Sequence, residues 1–417
     1  MSERDNGRLS DLQKVLEISR ALVAAADLDA LLRLIHDCSI ELLDAERATV
    51  FLYEPETHEL VSRVATGEKE LRVPADRGFV GAAAQGMATL NVADAYADPR
   101  FNPDVDRRTG FRTRNLLTVP LPDYERSLVG VLQVLNKRGG SFGEYDVMLA
   151  EALAAQAGVA LQRHRLIQHF LVKQQMERAM KIAQEIQQGL LPRENPAVAG
   201  FDIAGFYSPA DQTGGDIYDF MPLGEGQLMV TVADATGHGI GPALVIAETR
   251  AMLRAVCRQG LGVGEVLSTV NDLLQADLDG ARFVTCFLGV LDAAAASLRY
   301  ASAGHGPMLF YRRAADTFEE VSATGLPLAI MEGADYEQTL DWQFESGDFA
   351  VITTDGFFEA ADETKDQFGM ERMKDLLHCC RDEPAETMIR RLHEAVLSFT
   401  AGEPQADDLT AVVIKKS

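Results

Sequence analysis

The sequence predicts an α+β protein in which two sheet-bearing modules are joined by a helix. Three observations carry that prediction. Short β-branched and aromatic runs bounded by Gly, Pro, Asn or Asp fall on both sides of a helical middle in a chain of 417 residues. Between Gly158 and Gly189 there is neither Gly nor Pro, so an unbroken helix fits there. The length also exceeds one ordinary domain and allows two separate cores.

From the N-terminus, apolar residues at three- and four-residue spacing predict helices over Asp11 to Ala25 and Leu28 to Leu43. "ATVFLYEPETHELVSRVA" reads as two strands around a Pro-containing turn, and "NLLTVPL" and "GVLQVLNKRGG" as two more. A mostly antiparallel sheet follows. In "LIQHFLVKQQMERAMKIAQEIQQGLLP", Leu166, Phe170, Met176, Met180, Ala183 and Leu190 fall near one stripe. That stripe suits either a connector packed on its own domains or a parallel seam between two copies. Pro192 and "ENPAVAG" end the helix. Beyond them, helices over Gly241 to Arg258 and Ala385 to Phe399 stand among the strand candidates "FDIAGFYSPA", "DIYDFMPL", "QLMVTVAD", "FVTCFLGVLD", "LRYASAG", "PMLFYRR", "FAVITTDG" and "LTAVVIKK". Many antiparallel strands with segregated helices predict a layered sandwich. The expected boundaries are an N-terminal helix over 1–26, a first module over 27–163, a helical linker over 164–195 and a second module over 196–417.

Hydrophobic residues at 47% and charged residues at 24% are ordinary for a folded chain. A formal charge of -24 argues against nucleic acid as a partner, because a phosphate backbone demands clustered Lys and Arg. The five cysteines show no ligand spacing, and Cys379 and Cys380 are adjacent, which predicts reduced thiols and a cytoplasmic location. "MSERDNGRLS" lacks the apolar core of a signal peptide, and no apolar run approaches the roughly 18 residues of a membrane span.

Four acidic positions in the last module share one design. Asp216 in "GGDIYDF", Asp234 in "VADATGHG", Asp355 in "ITTDGFFEA" and the pair Asp407/Asp408 in "QADDLTAVV" each stand at the start or end of an apolar strand. Separately, each could cap a turn or a helix. Gathered at one sheet edge, they would repel one another until they took up protons or cations. Hard oxygen donors without His or Cys select Mg²⁺ or Mn²⁺ over zinc. Two such ions can activate water and clamp a phosphoryl group.

"GGDIYDF", "VADATGHGIGPAL", "AGHGP", "TTDGFFEA" and "DDLTAVV", in this order and preceded by "AQEIQQGLLP", resemble the SpoIIE-like branch of the PPM metal-dependent serine/threonine phosphatases. The resemblance covers roughly Ala183 to Ile414 and implies an αββα sandwich with a binuclear Mn²⁺ or Mg²⁺ centre. It further implies that Asp234 bridges both metals and that the carbonyl of Ala235, where relatives often have Gly, is a ligand beside it. Asp216 would serve one metal, and Asp355 and Asp407 the other. Asp407 is favoured over Asp408, which with Gly215 and His238 would stand just outside the metals. Gly237 and Gly239 would let the chain turn sharply after the strand. His238 is either a general acid for the leaving serine oxygen or a turn histidine bonded to backbone; His305 in "AGHGP" is expected to be structural.

The first module resembles a GAF domain over roughly Asp27 to Arg163. The carrying residues are "NVADAYADPRFNPDVDRRTGFRTRNLLTVPL" and "GVLQVLNKRGGSFGEYD", in the style of cyclic-nucleotide phosphodiesterases and cyclases. Asn136, Lys137, Phe142 and Asp146 match that pattern, and Val147 departs from it. A structural salt bridge between Lys137 and Asp146 is expected. Arg107, Arg108, Arg112 and Arg114 form a basic island that suits a bound phosphate or a solvated loop paired with Asp104 and Asp106.

Together these features predict a homodimeric signalling phosphatase. A GAF domain, with a cyclic nucleotide, another small molecule or no ligand, would control removal of phosphate from serine or threonine of a protein. The resemblance implies an anti-anti-sigma (STAS) partner within a partner-switching pathway. The alternatives are a cyclic-nucleotide receptor and a scaffold whose phosphatase domain is catalytically silent.

Overall fold

The computed structural model describes residues 3–65, 71–224, 226–237, 239–278, 280 and 282–417. Contacts divide the chain into two units, one ending at Gln174 and the other running from Gln175 to Ser417.

In the first unit, α1 (Glu3–Ala24) and α2 (Leu28–Leu42) precede β1 (Ala45–Glu54), β2 (Glu59–Ala65), β3 (Leu71–Pro74), α3 (Gly78–Gly86) and β4 (Leu90–Val92). Then come α4 (Pro103–Thr109), β5 (Leu116–Pro122), β6 (Leu128–Lys137) and the first part of α5 (Glu144–Leu190). Asp27 starts α2 by accepting the Ala30 N–H at 2.8 Å, a cap worth about 1 kcal/mol. The strands form one antiparallel sheet in the order β3-β2-β1-β6-β5-β4. Leu31, Leu32 and Ile35 of α2 and Leu149, Leu153 and Ala157 of α5 bury one sheet face. The sequence does not announce β3, β4, α3 or α4, which are too short for periodicity to show. The linker helix is also longer than expected: it begins at Glu144 and takes Gly158 into its interior.

The second unit adds β7 (Phe201–Ser208), β8 (Asp216–Gly224), β9 (Gln227–Ala235), α6 (Ile240–Cys257) and α7 (Val263–Asp277). β10 (Val284–Asp292), β11 (Ser297–Ala303), β12 (Met308–Arg312), β13 (Thr317–Val321), β14 (Leu340–Gln343) and β15 (Phe349–Thr353) follow. α8 (Gly356–Glu359), α9 (Gly369–Cys379), α10 (Ala385–Phe399) and β16 (Leu409–Lys416) complete it. Two antiparallel five-stranded sheets, β14-β11-β10-β9-β8 and β13-β12-β15-β16-β7, pack face to face. Their shared core holds Val230, Phe287, Phe310, Ile352 and Val412, with Phe310 between the rings of Tyr300 and Trp342 at 5.2 and 4.7 Å. α6 and α7 cover the outer face of the first sheet, and α9 and α10 that of the second. This is the expected αββα sandwich. Among the described residues no helix is long and apolar enough to cross a membrane.

Candidate active site

Antiparallel pairing delivers the acidic residues to one end of the sandwich. β8 opens on Asp216, β9 carries Asp234 one residue from its end, and the register sets the two opposite each other. Thr285 of β10 faces Asp234 from the other side. In the second sheet Thr353 pairs with Ala411, so Asp355 and the Asp407/Asp408 pair flank adjoining strand ends. The two sheets are tied at this point. Asp216 Oδ2 accepts hydrogen bonds from Thr354 Oγ1 at 2.7 Å and Thr410 Oγ1 at 2.6 Å.

The electrostatics are those of crowded like charges. Burial, then the charges of Asp234 and Asp408, push the Asp216 pKa well above the usual carboxylate range. Asp234 is pushed up to about 7, first by burial and then by Asp355 and Asp407. Asp355 is raised by burial and by the charges of Asp407 and Glu359. Among the described residues no Lys or Arg forms an ion pair with any of them, so positive charge is what the site lacks.

The two adjacent aspartates differ. Asp408 is buried, its Oδ1 accepting the Ala210 N–H at 2.8 Å and its Oδ2 the Asp216 N–H at 3.2 Å. Asp407 is exposed, and one of its oxygens accepts the Asp408 N–H at 2.8 Å. A Cβ on Gly214 would lie 1.9 Å from Asp408 Oδ2, and one on Gly215 would lie 2.5 Å from the Ala235 carbonyl oxygen. Only glycine lets this loop pass so close to both groups.

Among the described residues, no three His, Cys, Asp or Glu side chains already close to the spacing of a metal cage. Asp216 and Asp407 each spend an oxygen on protein donors instead. The donor set still fits hard divalent cations, because it is carboxylate and carbonyl throughout, and Asp216, Asp234 and Asp355 are raised in pKa first by burial and then by neighbouring carboxylates.

After Asp234 the chain turns through Gly237 and Gly239, at φ 95° and 90°, into α6. His238 lies outside the described residues. His305 is buried beneath the site, with its Nδ1 3.0 Å from Thr285 Oγ1. Burial lowers its pKa to about 4, so the ring is neutral.

Three residues here escape sequence reasoning. Thr354 and Thr410 stand inside "TTDG" and "DDLT", where the carboxylates draw the eye. Gln187 is the third: its side-chain amide donates to the Gly214 carbonyl at 2.6 Å and accepts the Gly214 N–H at 3.1 Å. "AQEIQQGLLP" contains three glutamines, and spacing alone does not say which one faces inward.

In the first unit Asn136, Lys137 and Asp146 are engaged in structure. Lys137 Nζ sits 2.8 Å from Asp146 Oδ1 and 3.0 Å from the Leu43 carbonyl oxygen. Asn136 is buried at φ 59°, donating to Glu46 and the Arg112 carbonyl and accepting the Arg114 N–H. Arg107 pairs with Asp104, Arg114 reaches Glu46, and Asp106 holds Thr113 and Tyr96. Beside Asp106 and Thr113, a cavity of about 560 Å³ opens among Phe51, Phe79, Phe101 and Phe111, with Arg47 and Arg100 on its wall.

Comparison with known proteins agrees with this division. The family model described as stage II sporulation protein E (SpoIIE) matches residues 224–417, and the GAF domain model matches residues 27–161. The chain carries a GAF domain followed by a SpoIIE-type phosphatase domain. The phosphoserine phosphatase RsbU of Bacillus subtilis is 29% identical over 264 residues, which is 62% of this chain and 76% of that protein. A probable 3',5'-cyclic phosphodiesterase, pde-5, of Caenorhabditis elegans is 29% identical over 167 residues, 36% of this chain and 23% of that protein. The SiaA-PP2C domain of Pseudomonas aeruginosa superposes with a TM-score of 0.53 at 19% identity, covering 59% of this chain and 99% of that one, a likeness of fold. With its SpoIIE-type domain and its similarity to RsbU, the protein is an enzyme of the serine/threonine protein phosphatase class.

Proposed function

We propose that this protein is a GAF-regulated phosphatase that removes phosphate from a phosphoserine or phosphothreonine of a protein partner, an anti-anti-sigma factor of the STAS class. The observation that carries the reading is the meeting of uncompensated carboxylates at the joined ends of two sheets. Asp234, with the Ala235 carbonyl, would hold two Mn²⁺ or Mg²⁺ ions, Asp216 one of them, and Asp355 and Asp407 the other. We favour Asp407 over Asp408 because both Asp408 oxygens are spent on backbone N–H groups. When bound, such ions activate water and neutralise charge on the phosphoryl oxygens. The chain's own work is to place them. Thr354 and Thr410 orient Asp216, Asp408 fixes the loop before it, and Gly215 leaves the Ala235 carbonyl unobstructed.

We also assign 27–163 to the GAF module, 164–195 to the linker and 196–417 to the catalytic module, with 1–26 as an N-terminal helix. The aromatic cavity with Arg47 and Arg100 suits a planar anion such as a cyclic nucleotide, which isothermal titration with cGMP and cAMP tests. Exposed Leu166, Phe170, Met176, Ile182 and Ile186 on α5 support a homodimer, and five free thiols suit the reducing cytoplasm.

Aryl phosphate hydrolysis with Mn²⁺, with EDTA as control, tests the catalytic reading. Release of phosphate that EDTA abolishes is expected, and absence of turnover under both conditions favours a receptor or scaffold instead.

A further inference from the structure

A cleft of about 200 Å³ opens directly beside Asp407, between α8, the end of α10 and the segment leading to β16. Its wall is apolar, built from Ala360, Val396, Leu397 and Leu409. Leu397 is 48% exposed there, a large apolar side chain left uncovered next to a charged site. The rim is acidic. Glu359 and Glu403 join Asp407 along it, and neither glutamate side chain has a hydrogen-bond or ion-pair partner among the described residues. Among the described residues no Lys or Arg lines the cleft. The segment is held in shape rather than loose: Gln405 Nε2 donates to the carbonyls of Ser208 and Asp407, both at 2.8 Å.

An apolar trough with a carboxylate rim matches one kind of side chain, a hydrocarbon stem ending in a cation, which buries its stem and leaves its charge at the edge. We infer that this cleft is a specificity pocket that takes a lysine or arginine side chain of the substrate close to the phosphorylated residue. It rests on the phosphatase reading above and adds what that reading lacks, a reason to choose among phosphoproteins.

The test uses the full chain with Mn²⁺ and a set of phosphoserine peptides in which one lysine is walked past the phosphoserine, each with a norleucine control. The readout is the ratio of kcat/KM for each lysine peptide to its control, which cancels any general loss of activity. One lysine position is expected to be favoured by about ten-fold. Glu403→Gln should bring that ratio to within about two-fold, and Glu403→Lys should invert it in favour of a glutamate peptide. Equal rates for every pair overturn the inference, as does a preference that survives both substitutions. A Glu403→Gln protein that keeps the preference but needs more Mn²⁺ also overturns it, marking the cleft as a cation site. Turnover of aryl phosphate without turnover of any peptide overturns the inference and leaves the phosphatase reading standing. No turnover of either overturns both.

Discussion

The first unit and the second handle buried polar groups in opposite ways. Around Asn136, each donor and acceptor meets a partner: Glu46, the Arg112 carbonyl and the Arg114 N–H surround the amide, while Lys137 is matched to Asp146. Around Asp234, carboxylates face carboxylates, and burial raises their pKa values together. Satisfied polar clusters hold a fold in place, whereas a cluster that costs stability is kept for what it can bind. The difference teaches that Asn136, Lys137 and Asp146 serve as scaffold, whereas the aromatic cavity of the first unit is the place to test for a ligand.

The largest test of this contrast is Asp234→Asn. Turnover of aryl phosphate with Mn²⁺ is expected to fall by about 10³-fold or more, while the substitution relieves repulsion and raises the melting temperature in EDTA. A variant that stays fully active would break the contrast outright. His305 supplies the next largest effect. Its buried ring stays neutral down to about pH 4, whereas an unfolded histidine takes up a proton near pH 6.5. The stability it contributes is whole above pH 6.5 and is lost as pH falls toward 4, by about 3 kcal/mol at most. Urea unfolding of the native chain against His305→Gln across that window should show the native chain alone carrying this slope.

Gln187→Ala removes both hydrogen bonds to Gly214, and about a ten-fold loss of turnover is expected as the loop before Asp216 loosens. Unchanged turnover would mean that the clasp is ornamental. Lys137→Met should act with the smallest magnitude and the opposite sign to Asp234→Asn in EDTA. Losing the ion pair to Asp146 should destabilise by about 1–2 kcal/mol, read as a lower melting temperature of the first unit.

Much of the sandwich was legible because its strands are long, apolar and punctuated; β7 to β12, β15 and β16 lie where alternation and turn residues predict them. β13 and β14 stayed hidden, since "TFEEV" and "LDWQ" are half-exposed edge strands whose pairing, not composition, makes them strands. The carboxylates were visible through their neighbouring glycines. Which groups hold them was not, because Thr354, Thr410 and Gln187 act across 27 to 194 positions of sequence. His238, the one residue with two readings as acid or turn former, falls outside the described residues.

Asp408, one residue before β16, fastens backbone laid down about two hundred positions earlier. A ribosome emits the front half and most of the sandwich long before that stitch exists. During synthesis the loop before Asp216 therefore waits without that anchor until Asp408 emerges.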